Sequence, residues 1–169
     1  MDRFIFRVES DNQGGMGHFY RCLALANILD GYQRAFLMNE YHPHLASILN
    51  TSNIKLETLN SKSPFIANAD ELSTYIDKKD IVILDGYQYD ESYMAVLNNI
   101  AAGLVVIDDL NKGKYFADII LNHGPHAKNA KYKSLNKTKL LLGEQYTLLR
   151  PAFYKNAGKG KVRDQVKVI

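Results

Sequence analysis

IVILDGYQYDESYMAVLNNIAAGLVVID, residues 81–108, decides the fold. Ile81 to Asp85 is an unbroken apolar run closed by a carboxylate, as expected of a strand buried on both faces. Leu104 to Asp108 repeats the pattern. Between them, Asp90 to Ala101 has the spacing of a helix, with Asp90 as its N-cap. Strand, helix, strand with no hairpin turn between the strands is the unit of a parallel sheet.

The same alternation extends both ways. Arg3 to Val8 reads as a strand. His18 to Asp30 reads as a helix, because Phe19, Cys22, Leu23, Ala26 and Leu29 fall on one face and Gly31 supplies a stop. Gln33 to Met38 and Ile54 to Leu59 read as strands, separated by a short helix that Pro43 opens and that runs to about Leu49. Asp70 to Asp77 reads as a helix. Asp118 to Leu121 and Lys139 to Leu142 are further short strands. The expected fold class is α/β: a Rossmann-like, mostly parallel sheet flanked by helices.

The chain has 169 residues, of which 46% are hydrophobic and 23% charged, a composition ordinary for a globular domain with a full core. No apolar run approaches the roughly 18 residues of a membrane span, and MDRFIFRV lacks the apolar core of a signal peptide. The expectation is a cytoplasmic protein with no membrane span. The net charge of +3 gathers in lysines between Lys128 and Lys139 and between Lys155 and Lys167. With no interleaved aromatics or nucleic-acid motif, these read as solvated surface, and no nucleic-acid partner is expected. Cys22 is the single cysteine and reads as a small buried hydrophobe.

Organisation changes at the end. Residues 1–155 read as one domain. Residues 156–169 read as a linker, Asn156 to Lys161, followed by strand-like alternation from Gln165 to Ile169, the opening of a further domain cut short.

In open parallel sheets, ligands bind beyond the carboxyl ends of the strands. Asp85, the pair Asp108 and Asp109, and the loop NQGGMGHFYRC at residues 12–22 all belong to that edge. A glycine-rich turn into a helix can cradle phosphate, but this loop has neither the Walker lysine nor the third glycine of the dinucleotide pattern. His18 opens the helix, where the positive helix end favours neutral imidazole, the form able to accept a proton. Pattern alone leaves a phosphate loop, a catalytic histidine and a plain turn into a core helix all open. Arg21, three residues on, shares the side of the helix that carries His18 and reads either as a phosphate contact or as a surface ion pair. Asp108 and Asp109 read as one turn cap and one solvated carboxylate, with a carboxylate pair for acid–base work as the alternative. His123 and His126 have a metal-like spacing, which Gly124 and Pro125 make unsuitable for a helix.

The order of motifs resembles a known family. FRVES, then GGMGHFYRCLALA, VILDGYQYD at 82–90, VIDDL at 106–110, DIILN at 118–122 and LLGEQYTLLRPAF at 141–153 are similar to the UDP-sugar hydrolases of pseudaminic acid biosynthesis, whose relatives are called spore coat polysaccharide biosynthesis proteins. The resemblance implies the N-terminal, sugar-side half of a GT-B architecture, partnered by its own C-terminal nucleotide-binding domain. It implies release of UDP from a UDP-activated 2,4-diacetamido-2,4,6-trideoxyhexose, with no cofactor and no metal. It implies that His18 is the catalytic base, that Tyr87 lines the sugar site, and that Gly15 and Gly17 allow close approach to substrate. Arg21, Asp85 and Asn122 join these as expected substrate-binding residues. Three positions depart from the family pattern: Glu9 replaces aspartate, Gly86 replaces histidine, and Gly14 replaces an aliphatic residue. A GT-B-like glycosyltransferase and a non-catalytic sugar-binding module are the alternatives.

Overall fold

The computed structural model describes residues 3–9, 16–60, 68–149 and 153. Gly14, Gly15 and the 156–169 segment, with its expected linker and strand, lie outside the described residues.

Seven strands form one sheet. β1 (Arg3–Val8), β2 (Gln33–Met38), β3 (Lys55–Thr58), β4 (Ile81–Asp85), β5 (Gly103–Ile107), β7 (Ile119–Asn122) and β9 (Lys139–Leu142) lie in the order β3-β2-β1-β4-β5-β7-β9. Every neighbouring pair is parallel. Two short strands, β6 (Lys114–Tyr115) and β8 (Lys133–Ser134), pair separately. The fold is α/β and Rossmann-like, as the alternation of apolar runs requires.

The chain starts at β1, winds outward to β3, then returns past β1 to continue from β4. Crossovers between parallel strands are right-handed, so reversing the direction of travel moves the connecting helices to the other face. α1 (Gly17–Ile28) and α2 (Pro43–Thr51) therefore cover one face, and α3 (Ala69–Leu72) and α4 (Glu91–Ile100) the other. The reversal falls between β1 and β4, which is where a doubly wound sheet opens a crevice at its carboxyl edge.

Alternation along the strands feeds two cores. Phe6, Val8, Phe36, Met38 and Ile83 meet Phe19, Cys22 and Leu23 of α1. Phe36 stacks on Phe6 with ring centres 5.0 Å apart and lies 5.3 Å from Phe19. Each of these fully buried rings contributes about 1.5–3 kcal/mol by leaving water. On the opposite face Ile5, Val82, Leu84, Leu104 and Val106 meet Leu72, Met94 and Leu97. Cys22 is fully buried, as its place on the apolar stripe of α1 predicts.

α4 begins where expected: the Asp90 carboxylate accepts from the Tyr93 amide at 2.8 Å. The helix expected over Asp70 to Asp77 is only one turn. Asn68 caps it by accepting from the Asp70 and Glu71 amides, but Ser73 to Tyr75 then form turns. Thr74 bonds the Glu71 carbonyl through its hydroxyl and its amide, which closes the chain after one turn.

Arg7 is a buried charge on the α4 face of β1. Its guanidinium donates to the Tyr93 hydroxyl (2.8 Å), the Leu37 carbonyl (3.2 Å), Asn39 Oδ1 (2.5 Å) and Glu9, and lies over the Tyr89 ring. Glu9, one of the departures from the family pattern, also accepts from the Asn39 amide. Its carboxylate thus ties β1 to the end of β2.

Candidate functional site

The site grows from two periodicities. Along β4 the period of two places Asp85 on the same face as Ile83, toward α1. Along α1, residues 18, 21 and 22 share the side that faces β4. The register Val8↔Asp85↔Ile107 sets Asp85 at the carboxyl edge, beside the start of α1.

Asp85 is fully buried and is surrounded by donors. His18 Nδ1 lies 2.7 Å from its Oδ1. Arg21 grips it with two bonds, Nε to Oδ2 and Nη2 to Oδ1, both 2.5 Å. The Cys22 thiol points at Oδ2 from 3.5 Å. An ionised carboxylate only accepts, so Nδ1 of His18 carries the proton. Arg21 Nη2, 3.0 Å from the same nitrogen, is then a close neighbour rather than a donor to it. In the neutral ring this contact fixes the tautomer: Nδ1–H is committed to Asp85, and the lone pair lies on Nε2. Among the described residues no group bonds to Nε2, on a side chain 18% exposed.

Arg21 extends the network. Its Nη1 donates to Asp109 Oδ2 at 2.6 Å, and the Tyr87 hydroxyl donates to the same oxygen at 3.0 Å. The Tyr87 ring stands edge-on to the His18 ring, with centres 4.6 Å apart, and is 60% exposed. Burial would raise the Asp109 carboxyl, but the bonds and charge of Arg21 outweigh it and hold this group below the usual carboxylate range. For Arg21, burial opposes the charge, while Asp85 and Asp109 together keep the guanidinium firmly protonated. For Cys22, burial and then the Asp85 charge push the thiol well above its ordinary range.

The expected residues are therefore brought together. His18, Arg21, Asp85 and Tyr87 form one cluster, joined by Asp109. Asp85 stands behind the imidazole, with its oxygens taken by protein donors. Arg21 forms ion pairs from a largely buried position, with Nε, Nη1 and Nη2 directed at the carboxylates of Asp85 and Asp109. Asp108 caps its turn by accepting from the Asn111 amide, and also from the hydroxyls of Tyr115 and Tyr132. Asp109 is not simply solvated: it is the second anchor of Arg21.

Asn122 ends β7 on the same edge. Its amide donates to the Tyr132 hydroxyl (2.8 Å), and its Oδ1 accepts from the Gly124 amide (2.9 Å). Gly17 opens α1, and a Cβ there would meet nothing within 4 Å among the described residues. Met16 gives α1 no side-chain cap, and its first turn has no acidic residue. Gly86 sits where a Cβ would come within 2.8 Å of the Tyr89 ring and 2.7 Å of the Gln88 amide, so this departure from the family pattern belongs to the packing of the loop.

His123 is a neighbour that the sequence did not announce. Burial first, and then the charge of Arg21, hold it below the ordinary imidazole range, against the pull of Asp109 and Asp85. The sequence shows it only as half of a metal-like spacing with His126. Its position one residue past a strand neighbouring β5 is the signal that brings it to this edge. Among the described residues, no three His, Cys, Asp or Glu side chains are grouped as a metal site.

Around His18, among the described residues, Asp85 and Asp109 set two carboxylates against the one guanidinium of Arg21. A cavity of about 70 Å³ is lined by Gly86, Tyr87 and Asp108 at this edge. A larger cavity, about 680 Å³, lies at the amino edge, lined by Tyr32, Arg34 and Lys55, away from this cluster.

No protein-family model matches the chain. It is 30% identical over 151 residues to an uncharacterized protein of Methanocaldococcus jannaschii, MJ1062, a match covering 83% of this chain and 29% of that protein. The chain thus spans less than a third of the length of this relative. No helix among the described residues is long and apolar enough to cross a membrane.

Proposed function

We propose that this chain is the sugar-side domain of a nucleotide-sugar hydrolase that releases UDP from a 2,4-diacetamido-2,4,6-trideoxyhexose in surface polysaccharide biosynthesis of the pseudaminic acid type. The observation that carries the reading is the His18–Asp85 pair: an imidazole whose Nδ1–H is held by a buried carboxylate and whose Nε2 is left to accept a proton at the carboxyl edge. The ordered motif resemblance supplies the substrate class.

In this reading a water molecule donates its proton to His18 Nε2 as its oxygen bonds to the anomeric carbon. The bond from that carbon to the phosphate oxygen breaks, and UDP leaves with the electron pair. Asp85 stabilises the imidazolium that forms and keeps the ring in place. Arg21 holds Asp85 and Asp109 apart, and Tyr87 walls the sugar position. The negative balance of the cluster fits a sugar here and a diphosphate bound chiefly by the C-terminal domain of a longer chain. The work of this domain is then cytoplasmic, with the sugar nucleotide as its partner.

Isotopic water tests the bond that breaks. Turnover of the UDP-sugar in H₂¹⁸O by the full-length gene product is expected to place ¹⁸O in the free sugar and none in UDP. Label in UDP would overturn attack at the anomeric carbon, and transfer to a sugar acceptor without free sugar would favour a glycosyltransferase.

A further inference from the structure

Beyond β7 the chain is held unusually firmly. The Asn122 carbonyl accepts from the Gly143 amide at 2.8 Å, its Oδ1 takes the Gly124 amide, and its Nδ2 is bonded to Tyr132. These bonds fix the backbone on both sides of His123. The His123 ring is half-buried, and its Nδ1 is buried with no hydrogen-bond partner among the described residues. Nothing in the proposed reaction uses this imidazole.

We propose that His123 is a second substrate-contacting imidazole of the site, a neutral donor that offers Nε2–H to an acceptor oxygen of the bound sugar. This rests on the sugar-hydrolase reading of the same edge.

A buried N–H with no acceptor forfeits a hydrogen bond to water, so the ring proton goes to the nitrogen that can meet solvent or ligand. That nitrogen is Nε2. The charged groups acting on the ring are Arg21, Asp109 and Asp85, and burial together with Arg21 keeps the ring neutral. A second proton would have to sit on the buried Nδ1, unpartnered among the described residues. His123 is thereby a donor of fixed polarity, complementary to His18, which presents a lone pair. Two imidazoles of opposite polarity on one edge suit a ligand of hydroxyl and amide groups, which both donate and accept.

The test compares His123→Phe, which keeps a flat ring without the donor, with His123→Gln, whose amide N–H restores a donor. In the full chain, His123→Phe is expected to lower kcat/KM for UDP release roughly tenfold or more, with His123→Gln recovering most of it. Equal rates for wild type and His123→Phe, or a Gln variant no better than Phe, overturn the proposal. A second readout does not depend on turnover. Nitrogen-15 imidazole spectra are expected to show His123 neutral with its proton on Nε2 near pH 7, and its resonances are expected to move when free 2,4-diacetamido-2,4,6-trideoxyaltrose is added. An Nδ1–H tautomer or unmoved resonances overturn the proposal. If the wild-type protein releases no UDP, the hydrolase reading fails, and the spectra alone decide the role of His123.

Discussion

His18 Nδ1 lies 2.7 Å from Asp85 Oδ1, although 67 residues separate them in the chain. The pair exists because β4 runs parallel to β1 in a register that ends both strands beside the first turn of α1. Asp85 has no exposed surface, and among the described residues every side-chain donor that reaches it comes from α1.

Asp85→Asn keeps the shape and removes the charge. Arg21 then keeps only Asp109, and the new amide turns an N–H toward His18 or Arg21. Breaking a buried ion pair at one end costs about 3–5 kcal/mol, and the surviving Asp109 contact places this variant near the lower figure. Urea denaturation measures that loss. UDP release, where present, is expected to fall about 100-fold or more, because the imidazole loses its tautomer lock. A variant as stable and as active as wild type would show that the network is incidental.

Tyr87→Phe separates stability from recognition. The hydroxyl bond to Asp109 is lost, while the ring can remain edge-on to His18. Since Tyr87 is largely exposed, the change in stability is expected to stay within about 0.5 kcal/mol. One lost hydrogen bond to the wall of the sugar position corresponds to a fall in kcat/KM of a few-fold to about tenfold. Thermal melts and steady-state kinetics on the same preparation check both.

Much of this architecture is legible in the sequence, and the limits have physical causes. The runs at Ile81 to Asp85 and Gln33 to Met38 match their strands residue for residue, because Val82 to Leu84 and Ala35 to Met38 are apolar and buried. Asp70 to Asp77 misleads because Thr74 and its neighbours divert the backbone into turns, a local competition that spacing alone does not reveal. His18 is visible as the opening of a helix at the carboxyl edge and Tyr87 through the motif resemblance, but the partners of His18 are not. Asp85 shows in the sequence as the carboxylate that closes a buried strand, and the β1–β4 register sets it beside α1. Asp109 is visible at this edge but not as the second anchor of Arg21, and His123 comes to it through the pairing of β7 beside β5, which no local pattern announces.

Cys22 offers a check on the packing that is independent of function. It is fully buried, its thiol is directed at Asp85, and burial raises its proton affinity. Thiolates, not thiols, react with disulfide reagents. At pH 8 the folded chain is expected to leave Ellman's reagent unreacted over many minutes, and to release one equivalent of chromophore once urea unfolds it. Rapid labelling of the native protein would contradict the placement of α1 against β4.

The pH dependence of stability has a definite sign. His123 and Asp109 both have proton affinities below their ordinary values in the folded chain. The unfolded chain therefore binds more protons, and each group contributes stability at higher pH that acid removes. The His123 contribution begins to fade as pH falls through about 6.5, and that of Asp109 as it falls through about 3.9, each being gone below its folded value. Glu9, raised chiefly by burial against the pull of Arg7, works the other way and loses stability as pH rises from its ordinary range to its folded value. Urea midpoints between pH 8 and pH 5 are expected to decline toward acid in wild type and to flatten in His123→Phe.

The central claim is that His18, held by Asp85, activates water against a UDP-sugar. The most direct measurement follows UDP release from UDP-2,4-diacetamido-2,4,6-trideoxyaltrose by the full-length gene product beside its His18→Ala variant. The account predicts steady release by wild type and a loss of about 100-fold or more in a variant that still folds. Full activity in His18→Ala, or no release by the intact protein, would contradict it.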